Sequence, residues 1–218
     1  MIKLAIFDLD GTLLHTIPDI AENLNIMLKK FGYPTLSEKE VAKRVGNGAK
    51  NLVKQSLPVN LSDAELEPIL NYYNKIYTDS GSKKTALFNG IENVLTTLKS
   101  WGVKLCILTN KPQMTTDNVY ETYLSKFKFD AVVGASDKVK CKPDKQATEK
   151  LISDFGVKKE EVVFIGDGET DVVTAINAEV NGIAVLWGYR EKEQLLDAGA
   201  KVFANSPSEL LNLIKEIK

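Results

Sequence analysis

The chain has 218 residues, enough for one large domain or for a core with a sizeable insertion, and its 44% hydrophobic and 26% charged residues are ordinary for a globular protein. A formal net charge of −1 leaves no basic excess to neutralise phosphates, which excludes nucleic acid as the main partner. Cys106 and Cys141 form no paired metal-ligand pattern, the apolar run before Asp8 is too short for a signal peptide, and no run of about 18 apolar residues occurs, so a soluble cytoplasmic protein without a membrane partner is expected.

In chain order, Lys3–Phe7 (KLAIF) predicts a buried strand that stops at Asp8. Ile20, Leu24, Met27, Leu28 and Phe31 then recur at helical spacing, with Gly32 and Pro34 as the stop. Ser37 with Glu40 predicts a capping box for a second helix. The stretch RVGNGAKNLV (Arg44–Val53) sets Gly46 and Gly48 around Asn47, with Arg44 and Lys50 on either side. It fails the G-x-x-x-x-G-K-[ST] pattern and follows no strand, so it reads as a loop joining two helices. Ser62 with Glu65 caps another helix that carries Leu66, Ile69, Leu70, Tyr73, Ile76 and Tyr77, and Ser80–Thr85 reads as a return hinge. No strand pattern occurs from Thr16 to Ser82, so a helical module, 16–82, is expected inside a core made of 1–15 and 83–218.

Within that core, short aliphatic runs predict buried parallel strands: VKLCILT ending at Thr109, FDAVVGA near Phe129, EVVFIG ending at Gly166 and GIAVLW ending at Trp187. Helical patterns fall between or before them at Ile91–Ser100, Gln113–Tyr123, Lys145–Phe155 and Thr170–Ala178. Strands alternating with helices predict a doubly wound α/β fold around a parallel sheet. Cys106 lies on one of these strands and reads as a buried free thiol.

The chemistry gathers at the strand ends. Residues i and i+2 of a strand face one side, so Asp8 and Asp10 present two carboxylates to one pocket, and Gly11 permits the turn that follows. Ligands of open α/β sheets bind at that edge, where two acids require a cation, a shared proton or divided roles. The second strand ends at Thr109-Asn110, a hydroxyl and an amide beside backbone donors able to cradle an anion. Lys142-Pro143 predicts a helix start that leaves Lys142 at the positive end of the helix. Asp167 and Asp171, four apart in G-D-G-E-T-D, come to one side of a turn entering a helix. Four aspartates, a lysine and hydroxyls suit a hard divalent ion, most simply Mg²⁺, together with a phosphoryl group. Around them, Thr12 is balanced between turn and function, Thr170 reads as a helix cap, and Lys140, Glu169 and Glu179 read as solvated charges.

D-x-D-G-T, T-N, K-P and G-D-x-x-x-D, in that order at successive strand ends, resemble the four motifs of the haloacid dehalogenase superfamily across nearly the whole chain. The helical stretch resembles that family's inserted cap domain. The resemblance implies that Asp8 is a nucleophile forming an aspartyl-phosphate, and that Asp10 is general acid to the leaving alcohol and then base to water. It further implies Mg²⁺ bound by the side chains of Asp8 and Asp167, by the main-chain carbonyl of Asp10, and by Asp171 directly or through water. Thr109, Asn110 and Lys142 would hold phosphoryl oxygens. An anionic nucleophile about 4 Å from each unit of phosphate charge meets roughly 4 kcal/mol of repulsion at an effective dielectric near 20, which is why the metal and the lysine are needed.

TIPDIAENLNIML, V-G-N-G and LWGYREKEQLLDAGA resemble the phosphoglycolate phosphatase branch of the family. That likeness implies a small phosphorylated metabolite as partner, with a monomer or homodimer as the assembly. His15 stands where small-molecule phosphatases of this family often carry Asp, which places it near substrate at the junction of core and cap. Arg44 or Lys50 would meet an anionic leaving group, with Gly46 and Gly48 in a loop that closes over it. The same framework serves isomerases of the β-phosphoglucomutase type and hydrolysis of pyrophosphate or nucleotides. A non-catalytic binding protein is the reading from another class. It predicts a lost motif acid, whereas Asp8, Asp10, Lys142 and Asp167 are all present.

Overall fold

Leu4, Ala5, Ile6 and Phe7 have no exposed surface in the computed structural model, which describes residues 1–80 and 83–217. They form β1 (Leu4–Phe7), and their unbroken apolar run follows from a strand covered on both faces. Ala5 and Phe7 pack with Val94, Leu95, Leu98 and Leu210 on one side. Leu4 and Ile6 pack with Leu151 and Ala175 on the other. Each large side chain buried in this way contributes about 1.5–3 kcal/mol.

After β1 come the two-residue β2 (Leu14–His15) and four helices, α1 (Ile17–Lys30), α2 (Glu38–Ala42), α3 (Gly48–Ser56) and α4 (Asp63–Ser80). Helix α1 opens with Pro18 and Asp19 and closes on Lys29 and Lys30, a charge order that complements its dipole. Gly32, at φ 76°, then turns the chain out of the helix. Both predicted capping boxes form: Ser37 with Glu40, and Ser62 with Glu65. The four helices share an apolar core of their own that includes Leu24, Met27, Val53, Leu66 and Tyr73. Of the Ser80–Thr85 hinge, residues 81 and 82 lie outside the described residues. Beyond them, the Lys84 N–H and the Thr85 hydroxyl both donate to the buried carboxylate of Asp19 on α1.

The chain then runs through β3 (Ala86–Leu87), α5 (Ile91–Ser100), β4 (Lys104–Pro112), α6 (Gln113–Tyr123), β5 (Ala131–Ala135), α7 (Gln146–Phe155) and β6 (Val162–Gly166). It continues with α8 (Glu169–Ala178), β7 (Asn181–Val185), α9 (Lys192–Asp197), β8 (Phe203–Ala204) and α10 (Pro207–Glu216). Among the described residues, β5-β4-β1-β6-β7-β8 form one parallel sheet, while β2 and β3 pair antiparallel beside it. With α5 and α10 on one face and α7 and α8 on the other, this is the doubly wound α/β fold the sequence predicts. Strand order reverses at β1, since β4 and β5 follow on one side and β6 to β8 on the other. The edge of β1 is therefore the topological switch point, where such sheets bind ligands.

Lys142-Pro143 does not start a helix. Helix α7 begins at Gln146, and Pro143 lies in the turn before it. Cys106 is buried on β4, where burial pushes its thiol up to about 12, and Cys141 is exposed. Among the described residues no helix is long and apolar enough to cross a membrane.

Candidate active site

Sheet register assembles the site. Phe7 aligns with Ile107 of β4 and with Ile165 of β6, so the residues that follow each of them emerge side by side at the switch point. These are Asp8, then Thr109 to Lys111, then Asp167.

Asp8 Oδ1 accepts a hydrogen bond from Lys142 Nζ at 2.6 Å, and the same ammonium donates to Asp171 Oδ1 at 2.6 Å. Asp167 completes the group, its oxygens accepting from the Thr12 hydroxyl at 3.2 Å and from the Tyr189 N–H at 2.7 Å. Thr12, balanced between turn and function in the sequence, thus supports an acid of the site. Asp8, Asp167 and Asp171 are buried, and each brings a carboxylate oxygen within 4.8 Å of the others. Burial is the main cause that pushes the Asp8 carboxyl up to about 7; Lys142 opposes the rise and Asp171 adds to it. Asp167 is also raised, by burial first and then by repulsion from Asp8 and Asp171. Three carboxylates facing one ammonium make an electrostatic deficit that a hard cation would relieve.

Glycines make room for these acids. A Cβ on Gly11, which sits at φ +90°, would fall 2.3 Å from Asp167 Oδ2, and one on Gly166 would fall 2.2 Å from Asp171 Cγ. Asp171 Oδ2 accepts the Gly168 N–H at 2.9 Å, so Asp171 caps α8 in place of Thr170, whose carbonyl accepts from Thr174.

Asp10 turns to another cation. Lys111 Nζ lies 3.1 Å from both Asp10 oxygens and 2.9 Å from the Tyr77 hydroxyl of α4. Burial works against the Lys111 charge, but Asp10 and Tyr77 outweigh it and hold the ammonium above its usual value. The two acids of D-x-D are thereby kept apart, each with a lysine of its own. Asn110 fixes the other lysine: its Oδ1 accepts the Lys142 N–H at 2.8 Å, while its Nδ2 donates at 3.1 Å to the carbonyls of Lys142 and of Gly46. A cavity of about 60 Å³ lies between the sheet edge and the helical unit. Asp8, Asp10, Thr109, Asn110, Asp167 and Asp171 line it from the sheet side, and Gly46 and Gly48 line it from the helical side.

Residues 5–185 match the model of the haloacid dehalogenase-like hydrolase family. This chain belongs to that family. Phosphoglycolate phosphatase of Vibrio cholerae serotype O1 is 31% identical to this haloacid dehalogenase-like hydrolase, over 98% of this chain and 97% of its own. A crystal structure assigned as a phosphoglycolate phosphatase from Lactobacillus delbrueckii subsp. bulgaricus superposes with a TM-score of 0.91 at 28% identity, covering 97% of this chain and 98% of that one. A predicted phosphatase from Clostridium acetobutylicum superposes with a TM-score of 0.86 at 28% identity, over 99% of each chain.

Four predicted site residues of this haloacid dehalogenase-like hydrolase lie outside the cavity wall: Lys142, which stands behind Asp8 and Asp171, and Arg44, Lys50 and His15. The Arg44 guanidinium donates to the carbonyls of Glu40 and Gln55, and Lys50 pairs with Asp63 at 3.0 Å. His15 is exposed on β2, its ring centroid 5.6 Å from Phe88 and 6.2 Å from Tyr189. Sequence reasoning missed Lys111, Tyr189 and Arg190, all of which line the cavity. Strand alternation could have found Lys111, two residues after Thr109 and on the same face. Arg190 offers no such signal. It donates to Glu169 at 2.7 Å and to the carbonyls of Ala42 and Val45, contacts between segments distant in sequence. Glu169 is therefore not a merely solvated charge but the partner of a buried arginine.

Proposed function

We propose that the protein is a Mg²⁺-dependent phosphatase that hydrolyses a small phosphomonoester of the phosphoglycolate type through an aspartyl-phosphate on Asp8. One observation carries this reading: the Asp8 carboxylate stands at the switch point with Lys142 on one oxygen and Asp167 and Asp171 beside it. The name carried by the Vibrio cholerae relative supports a phosphomonoester as substrate.

The donor set fits a hard divalent ion, since it consists of carboxylate oxygens and holds more negative charge than Lys142 offsets. Asp8, Asp167 and Asp171 would hold Mg²⁺, and a bound Mg²⁺ supplies positive charge against the phosphoryl oxygens. Asp8 attacks phosphorus as the bond to the alcohol oxygen breaks, and that oxygen takes a proton from Asp10. Asp10 then accepts a proton from water as the water oxygen attacks phosphorus, which breaks the acyl-phosphate bond and returns Asp8 to a carboxylate. Lys142 offsets charge beside the nucleophile throughout. Thr109 and the backbone at Asn110 face the phosphoryl oxygens. Residues 16–82 act as a cap over this chemistry, and the contact between Asn110 and Gly46 is where cap and phosphate site meet.

The test is hydrolysis of p-nitrophenyl phosphate by the full chain with Mg²⁺. Asp8→Asn, folded by circular dichroism, should lose at least about 10³-fold in kcat, because removing a nucleophile removes the whole route. Full activity in that variant overturns the assignment. Isomerisation of a phosphorylated sugar without net release of phosphate would favour the mutase chemistry instead.

A further inference from the structure

We infer that Lys111 is the specificity-determining residue of this site, binding a second anionic group carried on the leaving alcohol. The inference rests on the phosphatase reading above. If phosphorus sits at Asp8 and Asp10 serves the leaving oxygen, the alcohol lies on the Asp10 side of the cavity. Lys111 Nζ is there, 3.1 Å from both Asp10 oxygens, on the cavity wall and buried.

The other cations are committed elsewhere. Lys142 is shared by Asp8 and Asp171, and Arg190 is held by Glu169 and two carbonyls. Arg44, half-buried, and Lys50, exposed, are tied to partners outside the wall. Lys111 is also held in place: Tyr77 accepts one of its bonds at 2.9 Å, and the Tyr77 ring lies 4.7 Å from the ammonium. An ammonium has three donors, and the even approach of both Asp10 oxygens can be served by one of them, which leaves a donor for ligand. A charge already desolvated and positioned binds a complementary anion without the ordering cost that a mobile surface lysine incurs. The cavity of about 60 Å³ has room for a handful of waters, which suits an anion on a short alcohol. A carboxylate and a second phosphate share the chemistry that Lys111 recognises.

Three two-carbon esters that differ only in their far group separate the possibilities: ethyl phosphate, 2-phosphoglycolate and ethane-1,2-diyl bisphosphate. With Mg²⁺, the wild-type chain should favour at least one anionic ester over ethyl phosphate by roughly 10- to 100-fold in kcat/KM, the range a charge-assisted hydrogen bond spans, with the difference in KM. Which anionic ester is favoured tells carboxylate from phosphate. Lys111→Met should erase that preference, the anionic ester losing roughly 10- to 100-fold more in kcat/KM than ethyl phosphate, and Lys111→Arg should keep it. Lys111→Gln, closer in polarity, serves if the Met variant does not fold. An equal loss on all three esters, confined to kcat, would mean that Lys111 only positions Asp10, and the inference falls. Wild-type turnover indifferent to the far group also overturns it, with the phosphatase reading intact. Failure of the wild type to hydrolyse any of the three overturns both.

Discussion

Asp8 and Asp10 are two residues apart, yet their charges are balanced by different lysines, Lys142 and Lys111. That division was half legible in the sequence. Period-two geometry predicts two carboxylates at one strand end, and K-P points to Lys142, but the partnering of Asp10 with Lys111 depends on Tyr77 arriving from a helix 34 residues earlier. Burial and Asp171 raise the Asp8 carboxyl from 3.8 to about 7 against the pull of Lys142, which has a consequence for pH. Between those values the folded chain holds a proton that the unfolded chain releases. The contribution of Asp8 to stability therefore declines as pH rises through that window. A divalent cation favours the ionised form and reverses the trend. Mg²⁺ should accordingly raise Tm more at about pH 8 than at about pH 5.5, with proton release on binding, since the stabilisation a ligand gives grows with its affinity for the folded state. Thermal melts at the two pH values and calorimetry in buffers of different ionisation enthalpy check this. An equal Tm gain at both would show that the metal does not displace a proton.

At the scale of elements, strands buried on both faces were the most legible, because continuous aliphatic runs such as LAIF and VVFIG have no other stable placement. The two-residue β2, β3 and β8 are too short to carry a period. The Lys142 turn was misread as a helix start because proline suits both a first helical turn and a loop; Asn110, binding the Lys142 backbone from β4, decides the matter. The two passages between sheet and helical unit are joined by Asp19 of α1, which accepts from the Lys84 N–H at 2.9 Å and the Thr85 hydroxyl at 2.7 Å. Asp19→Ala leaves those donors unpaired in a site that is 2% exposed, and should destabilise the protein by about 1–3 kcal/mol. Urea denaturation measures the loss. An unchanged midpoint would mean that water replaces the carboxylate without cost.

For the whole molecule, a parallel sheet whose order reverses at β1 places three strand ends side by side, and the helical unit inserted after β1 supplies the far wall of the cavity. The pattern of short strands alternating with helices made the sheet readable, and helical spacing in residues 16–80 made α1 and α4 readable, whereas the contacts across the cavity, Arg190 to Ala42 and Asn110 to Gly46, came only with the fold. A phosphoryl group carried on Asp8 during turnover would leave a chemical trace. Rapid acid quench of the full chain mixed with Mg²⁺ and 2-phosphoglycolate, followed by borohydride reduction, converts an acyl-phosphate to homoserine at the phosphorylated position. Peptide mass spectrometry should find homoserine at position 8, absent without Mg²⁺ and absent in Asp8→Asn. Steady hydrolysis with no modified Asp8, or with the modification at another carboxylate, would contradict an aspartyl-phosphate on Asp8.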